Sequence, residues 1–233
     1  MANWCCTSIY FYGEESIVFD FHKKLTKWIN AKESICENGF GVSWLGNILG
    51  YTFGKDFVKE HAHDTNLDFR GWVQFLDAPE KHGTKKEKDT WLFNVTMESA
   101  WCPHIKMWYL VLEKLYGKDA NINIAYSAEE SGMGVYCLYD PDHIIYKSEN
   151  VYRVDAWDMK DRFGLEECFC EYEEDELIEA IKDFFDIDCT EDMLNDTDKL
   201  NETIQEIIKE SGQSEDDCGF YVYKYDIAKK EDY

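Results

Sequence analysis

"MESAWCPHIKMWYLVLEKLYG", residues 97–117, passes from a polar, strand-like stretch into a periodic helix at Trp101-Cys102-Pro103. Ile105, Trp108, Val111, Leu112, Leu115 and Tyr116 recur at helical spacing and form one apolar stripe. Pro103 suits a first helical turn, where a missing N–H costs nothing, and Gly117 suits a C-terminal cap. The stretch is a strand–turn–helix joint. What lies on either side of it decides the fold.

Upstream, "TWLFNVTMESA" (90–100) and "DFRGWVQFLD" (68–77) carry the β-branched and aromatic residues of strands, with "APEKHGTKKEKD" (78–89) as a solvated hairpin loop between them. "CCTSIYFY" (5–12) predicts another strand, punctuated by Gly13. In "EESIVFDFHKKLTKWIN" (14–30) Ile17, Val18, Phe21, Leu25, Trp28 and Ile29 predict an amphipathic helix. Residues 31–66, including the five-glycine "GFGVSWLGNILGYTFG", read as an insertion with one or two short helices, one of them capped by Ser43. Downstream, "NINIAYSAEE" (121–130) and "MGVYCLYD" (133–140) predict strands joined across Ser131-Gly132. The order β-α-(insert)-β-β-α-β-β gives an α+β class, with a split βαβ pair. That is the ferredoxin-like plait, an antiparallel sheet with two helices on one face.

After Asp140 the pattern changes. "HIIYKSENVYRVDAW" (143–157) reads as one or two strands, "EEDELIEAIKDFF" and "DKLNETIQEIIKES" as helices, and "GFYVYKYDIA" as a final strand. Residues 1–145 are therefore expected to form the plait, and 146–233 an acidic α/β extension docked on it. This last third is patterned, so it should fold.

Charge is the strongest compositional signal. The chain has 48 acidic and 24 basic residues, net −24, and residues 166–233 alone hold 24 acidic against 6 basic. Direct binding to nucleic acid or an anionic membrane would bring like charges together, so a basic protein is the electrostatically sensible partner. With 45% hydrophobic and 16% aromatic residues a substantial core is available. Met1–Cys6 shows neither a basic n-region nor an apolar h-region, so no signal peptide is expected. Nine cysteines, an odd number, fit buried thiols in a reducing cytoplasm.

Three short motifs occur in order: Met1-Ala2-Asn3-Trp4-Cys5 opening a strand that ends at Gly13, Ala100-Trp101-Cys102-Pro103 before a helix, and Glu129-Glu130-Ser131-Gly132-Met133-Gly134. Together they resemble the YubB-type ferredoxin-like domain family of phage, plasmid and other mobile-element proteins. The resemblance covers about residues 1–145. It implies the plait, an origin in a mobile element and hence a bacterial host cytoplasm, and it implies no catalytic residues.

Familiar chemistries find little support. Zinc and iron–sulfur sites need thiolates at ligand spacing, which Cys5-Cys6 and Cys168-Phe169-Cys170 do not offer. His61-Ala62-His63-Asp64 lacks further ligands, and no phosphate loop or calcium loop matches. Neither a metal nor a cofactor is expected. RNA binding through Tyr10, Tyr12, Trp91 and Phe93 lacks the basic residues it would need. A nucleophilic Cys102 needs His104 within reach and a third group to orient it, a geometry that near-adjacent placement does not naturally give.

What remains is the acidic surface. Glu173, Glu174, Glu176 and Glu179 surround one predicted helix, Glu202, Glu206 and Glu210 line the next at i, i+4, i+8, and Asp216 and Asp217 follow. Ordinary solvated surface is the plain reading. The sharper one is a rigid negative array that imitates a nucleic-acid backbone. The expectation is a non-enzymatic protein that binds and inhibits a basic, nucleic-acid-handling host protein such as a CRISPR or other defence nuclease, by occupying its nucleic-acid channel. The alternative is a small-molecule or nucleotide-binding module using Trp101, His104, Glu129 and Glu130 around the Gly132–Gly134 turn. A third reading is an enzyme using Cys102 or the His61/His63 pair.

Overall fold

Alternate side chains of the first strand, β1 (Trp4–Gly13), point inward: Cys5, Thr7, Ile9 and Phe11 are all fully enclosed. This period of two commits one face of the sheet to the core and fixes its register. In the computed structural model, which describes residues 3–64, 67–83, 90–158, 168–212 and 218–229, the chain is α+β and divides into two units. One comprises Met1–Ile145 and the stretch from Ala228 onward, the other Tyr146–Ile227.

In the first unit β1 lies between two antiparallel neighbours, β4 (Thr90–Ala100) and β5 (Ile122–Glu130). β2 (Gly71–Leu76) pairs with β4, and β6 (Val135–Tyr139) with β5, giving the order β6-β5-β1-β4-β2. The expected loop at 78–89 contains a short strand, β3 (Glu80–His82), because Glu80, Lys81 and His82 find backbone partners in Leu92, Trp91 and Thr90. Residues 84–89 of that stretch lie outside the described residues.

Helices α1 (Glu15–Ile29) and α4 (Ile105–Tyr116) cover the same face. Phe21 of α1 and Trp108 of α4 both meet Phe11 of β1 edge-on, with centroids 5.0 and 5.2 Å away. Such aromatic pairs add about 0.5–1.5 kcal/mol each beyond the area they bury. The insertion forms α2 (Leu45–Phe53) and α3 (Lys55–Glu60). Ser43 is not a cap as expected. Trp44 occupies that position without a side-chain bond, while the Ser43 carbonyl accepts the Val73 N–H at 3.0 Å and ties the insertion to β2. Ile48 and Leu49 of α2 join the main core. Pro103 stands just before the helix rather than inside its first turn, since α4 starts at Ile105 with His104 as N-cap.

Part of the sheet's other face is covered too. Tyr12, Leu92 and Ala125 pack with Ile144 and Ile145, whose N–H groups donate to the Asp140 carboxylate at 2.6 and 2.7 Å. The C-terminal stretch returns to this unit where the Ala228 N–H donates to Leu138 O at 2.8 Å.

The second unit is a three-stranded antiparallel sheet, β8-β7-β9, made of β7 (Val151–Trp157), β8 (Cys168–Glu173) and β9 (Gly219–Lys224). Helices α5 (Glu174–Phe185), α6 (Glu191–Leu194) and α7 (Thr197–Glu210) bury Leu177, Ile181, Leu194, Leu200, Ile204 and Ile208 against Val154, Phe220 and Val222. Each such side chain contributes roughly 1.5–3 kcal/mol when removed from water. Asp196 caps α7 by accepting the Lys199 N–H at 3.2 Å. No helix among the described residues is long and apolar enough to cross a membrane.

Candidate functional site

Two places gather the residues singled out above. The first is the outer flank of α7. The apolar stripe Leu200–Ile204–Ile208 turns inward, so Asp198, Glu202, Glu206 and Glu210 are carried outward, and all four are exposed. On one margin of the helix, Asn201 and Gln205 seal the edge of β9. Asn201 donates to Val222 O at 2.9 Å and accepts from Val222 N at 2.8 Å, and Gln205 Nε2 donates to Phe220 O at 3.0 Å. These amides satisfy backbone groups that would otherwise invite another strand. They also fix the rotation of α7 relative to the sheet. Beside them a hollow of about 690 Å³ is lined by Asp198, Glu202 and Glu206, by Lys209, and by Tyr221 and Tyr223 of β9.

The acidic residues of α5 divide differently. Glu173 Oε1 accepts the Lys147 N–H at 2.7 Å, and Glu174 Oε2 accepts the Tyr152 hydroxyl at 3.5 Å. Both sit at the start of α5, where carboxylates also complement the helix dipole. They are engaged in holding the fold rather than offered freely to a partner. Glu176 and Glu179 are exposed. Asp216 and Asp217 lie outside the described residues.

The second place is the strand–turn–helix joint. Trp101 adopts φ 73°, a left-handed conformation that costs a bulky residue on the order of 1–3 kcal/mol. Hydrogen bonds over-determine it: Trp101 N–H donates to Asn3 O at 2.9 Å, Ala100 N–H to Arg70 O at 2.8 Å, and Ser99 Oγ to Cys102 O at 2.8 Å. The third motif arrives at the same end of the sheet. Glu130 Oε1 accepts the Gly132 N–H at 3.1 Å, and a Cβ at Gly132 would stand 3.0 Å from Asn3 Nδ2. So Asn3 touches both other motifs, a convergence invisible in their separate positions along the chain.

Of the four residues in the alternative ligand set, three gather here and one does not. Trp101 is 40% exposed, whereas His104 and Glu130 are 5% and 4% exposed. Glu129 falls on the opposite sheet face, because successive strand residues alternate. It pairs across the strand with Cys6, while Tyr126 and Ala128, in phase with Glu130, belong to the helix-side core. The four cannot line one pocket.

His104 has a different neighbour. Across Pro103, Cys102 Sγ comes to 3.8 Å from His104 Nδ1, and Asp68 Oδ1 lies 3.6 Å from Nε2. Near-adjacent placement therefore does give a thiol–imidazole–carboxylate array, contrary to expectation. The local turn through Pro103 brings the thiol to the ring, and the Ala100 N–H bond to Arg70 O holds that segment beside the Asp68–Arg70 stretch. Asp68 is in turn gripped by Arg70, which donates to it through its backbone N–H at 2.9 Å and through Nε at 2.8 and 3.0 Å. Burial works against the Asp68 charge, but the Arg70 bonds and the His104 ring hold its carboxyl below the usual carboxylate range. Burial depresses the His104 imidazole, against the pull of Asp68 and the Arg70 backbone, so the ring is neutral near pH 7. Burial and the Asp68 charge raise the Cys102 thiol. Asp68 and Arg70 were not recognisable as site residues in the sequence. Only their place at the mouth of β2, next to Ser99 and Ala100 of β4, brings them here.

His61 stacks on Phe57 at 4.1 Å with Nδ1 2.9 Å from the Phe57 carbonyl, closing the end of α3. His63 instead lines a hollow of about 300 Å³ with Asp64, Asp68 and Arg70. The two rings do not converge, and no group of three His, Cys, Asp or Glu among the described residues could hold a metal ion. No family model, curated protein or solved structure matches the chain.

Proposed function

We propose that this is a binding protein whose acidic second unit docks into the basic, nucleic-acid-handling groove of a host protein and competes with the nucleic acid for it. The observation that carries this reading is the flank of α7: Asp198, Glu202, Glu206 and Glu210 are exposed at one-turn intervals on a helix pinned by Asn201 and Gln205. Carboxylates on a pinned helix keep their spacing, so they can match a row of cations without the ordering cost that a flexible tail would incur. The residues proposed to face the partner are Glu176, Glu179, Glu202, Glu206 and Glu210. Tyr221 and Tyr223 would supply flat contact area beside them, as tyrosines commonly do at interfaces.

The first unit is proposed to be a ferredoxin-like plait. The order β5-β1-β4-β2 with antiparallel neighbours supports that reading, and so do two helices on one face. Its resemblance to the YubB-type family supports a mobile-element origin, and a defence nuclease of a bacterial host is the class of partner proposed.

The test is capture from bacterial lysate followed by displacement. The immobilised chain should retain a basic nucleic-acid-binding protein at low salt, and both 0.5 M salt and a double-stranded DNA fragment should release it. Retention that DNA cannot displace would overturn the competitive mechanism.

A further inference from the structure

The array at the strand–turn–helix joint performs no task in partner docking, yet its parts have the roles that thiol catalysis requires. We infer that Cys102 is a nucleophile with His104 as its base and Asp68 as orienter, acting on an activated acyl carbon such as a thioester or ester. Cys102 is exposed and can meet a substrate, whereas His104 is buried and cannot swing away. The Asp68 carboxylate, 3.6 Å away, favours a proton on His104 Nε2, where no hydrogen bond of ordinary geometry closes. That tautomer leaves the Nδ1 lone pair facing the thiol. Distances of 3.8 and 3.6 Å are long, as such contacts often are before substrate binds.

The resting pair is a neutral thiol beside a neutral imidazole, so the proton moves during attack. Sulfur adds to the acyl carbon as its proton passes to His104 Nδ1. The imidazolium returns that proton to the departing alcohol or thiol, leaving an acyl thioester on Cys102. Water then gives a proton to His104 and adds to the carbonyl. Cys102 departs, takes the proton back, and a carboxylic acid is released. A thiol that is not ionised beforehand suits a carbon with a good leaving group. Trp101, held half-exposed next to Cys102, offers a flat apolar surface for the acyl portion.

The experiment treats the full chain with p-nitrophenyl acetate at pH 7.5 and follows acetylation of each cysteine by peptide mass spectrometry. Cys6 and Cys170 are also exposed and serve as internal standards. Cys102 should be acetylated at least tenfold faster than either, and should return to the free thiol with continued release of p-nitrophenol. His104→Gln should bring its rate down to that of Cys6. Asp68→Asn should lower it at least threefold and shift its pH midpoint, which a purely structural role would not do. Cys6→Ser should leave turnover unchanged. If Cys102 in the folded wild-type chain reacts no faster than Cys6 and Cys170, the inference is overturned. That comparison needs no variant, so misfolding cannot obscure it. Because it is independent of α7, its failure would leave the docking proposal standing.

Discussion

The two units solve the same problem, covering one face of an antiparallel sheet with helices, with opposite surfaces. In the first, the face is closed by aromatics: Phe11 and Phe21 meet each other and each meets Phe93 and Trp108, with ring centroids 5.0–6.5 Å apart. Buried Ser99, His104 and Glu130 lie at one end, where three sequence motifs converge. In the second, aliphatic side chains of α5 and α7 do the covering, and the outward sides of those helices carry an excess of negative charge over the exposed Lys182, Lys199 and Lys209. A sheet-and-helix layer therefore leaves its solvent side free to be chosen for something else. Here one unit holds a small polar array in a strained turn, and the other spreads repulsion over a helix.

That contrast can be broken most forcefully in the cores. Trp108→Ala should cost the first unit about 3–5 kcal/mol. Denaturant melts followed by hydrogen exchange should then show the protection of α4 and β1 lost well before that of α7 and β9. Simultaneous loss in both would mean that the two cores are not separate. Next in size is Asn201→Ala, which strips Val222 of both partners and should destabilise the second unit by about 1–3 kcal/mol. The bared edge of β9 should also promote self-association, visible by sedimentation.

A smaller effect is expected at His104. Its folded pKa is depressed, so its full contribution to stability is present above the unfolded value of about 6.5 and is lost as pH falls through the folded value. The stability difference between wild type and His104→Gln should accordingly move against the wild type between pH 7 and pH 5. A difference independent of pH would mean the ring is not held neutral. Smallest is the response to salt. Adding 0.5 M sodium chloride should stabilise the second unit by relieving repulsion, and should scarcely move the first.

The sequence disclosed the elements themselves because their periods are strong. Ile105, Trp108 and Val111 could only be one side of a helix, and Cys5, Ile9 and Phe11 one side of a strand. The charge array on α7 was equally legible, since inward Leu200, Ile204 and Ile208 leave Glu202, Glu206 and Glu210 no direction but outward. What could not be read was anything set by a reversal or a long-range pairing. The contact of Cys102 with His104 depends on the local turn through Pro103, and Asp68 reaches His104 from 36 residues away in the chain. Glu173 and Glu174 looked like surface charge by composition, but each meets a donor from another element. Composition counts charges and is silent on which of them are already satisfied.

The central claim is that position, not net charge, makes the second unit a docking surface. It is tested by comparing two charge-reversed chains of identical net charge in the same capture assay. One carries Glu202→Lys, Glu206→Lys and Glu210→Lys, and the other Glu15→Lys, Glu33→Lys and Glu60→Lys, all exposed in the first unit. Loss of partner binding in the α7 variant, with the first-unit variant within about threefold of wild type, is the outcome predicted from a fixed array of carboxylates. Equal weakening of both, or of neither, would contradict it.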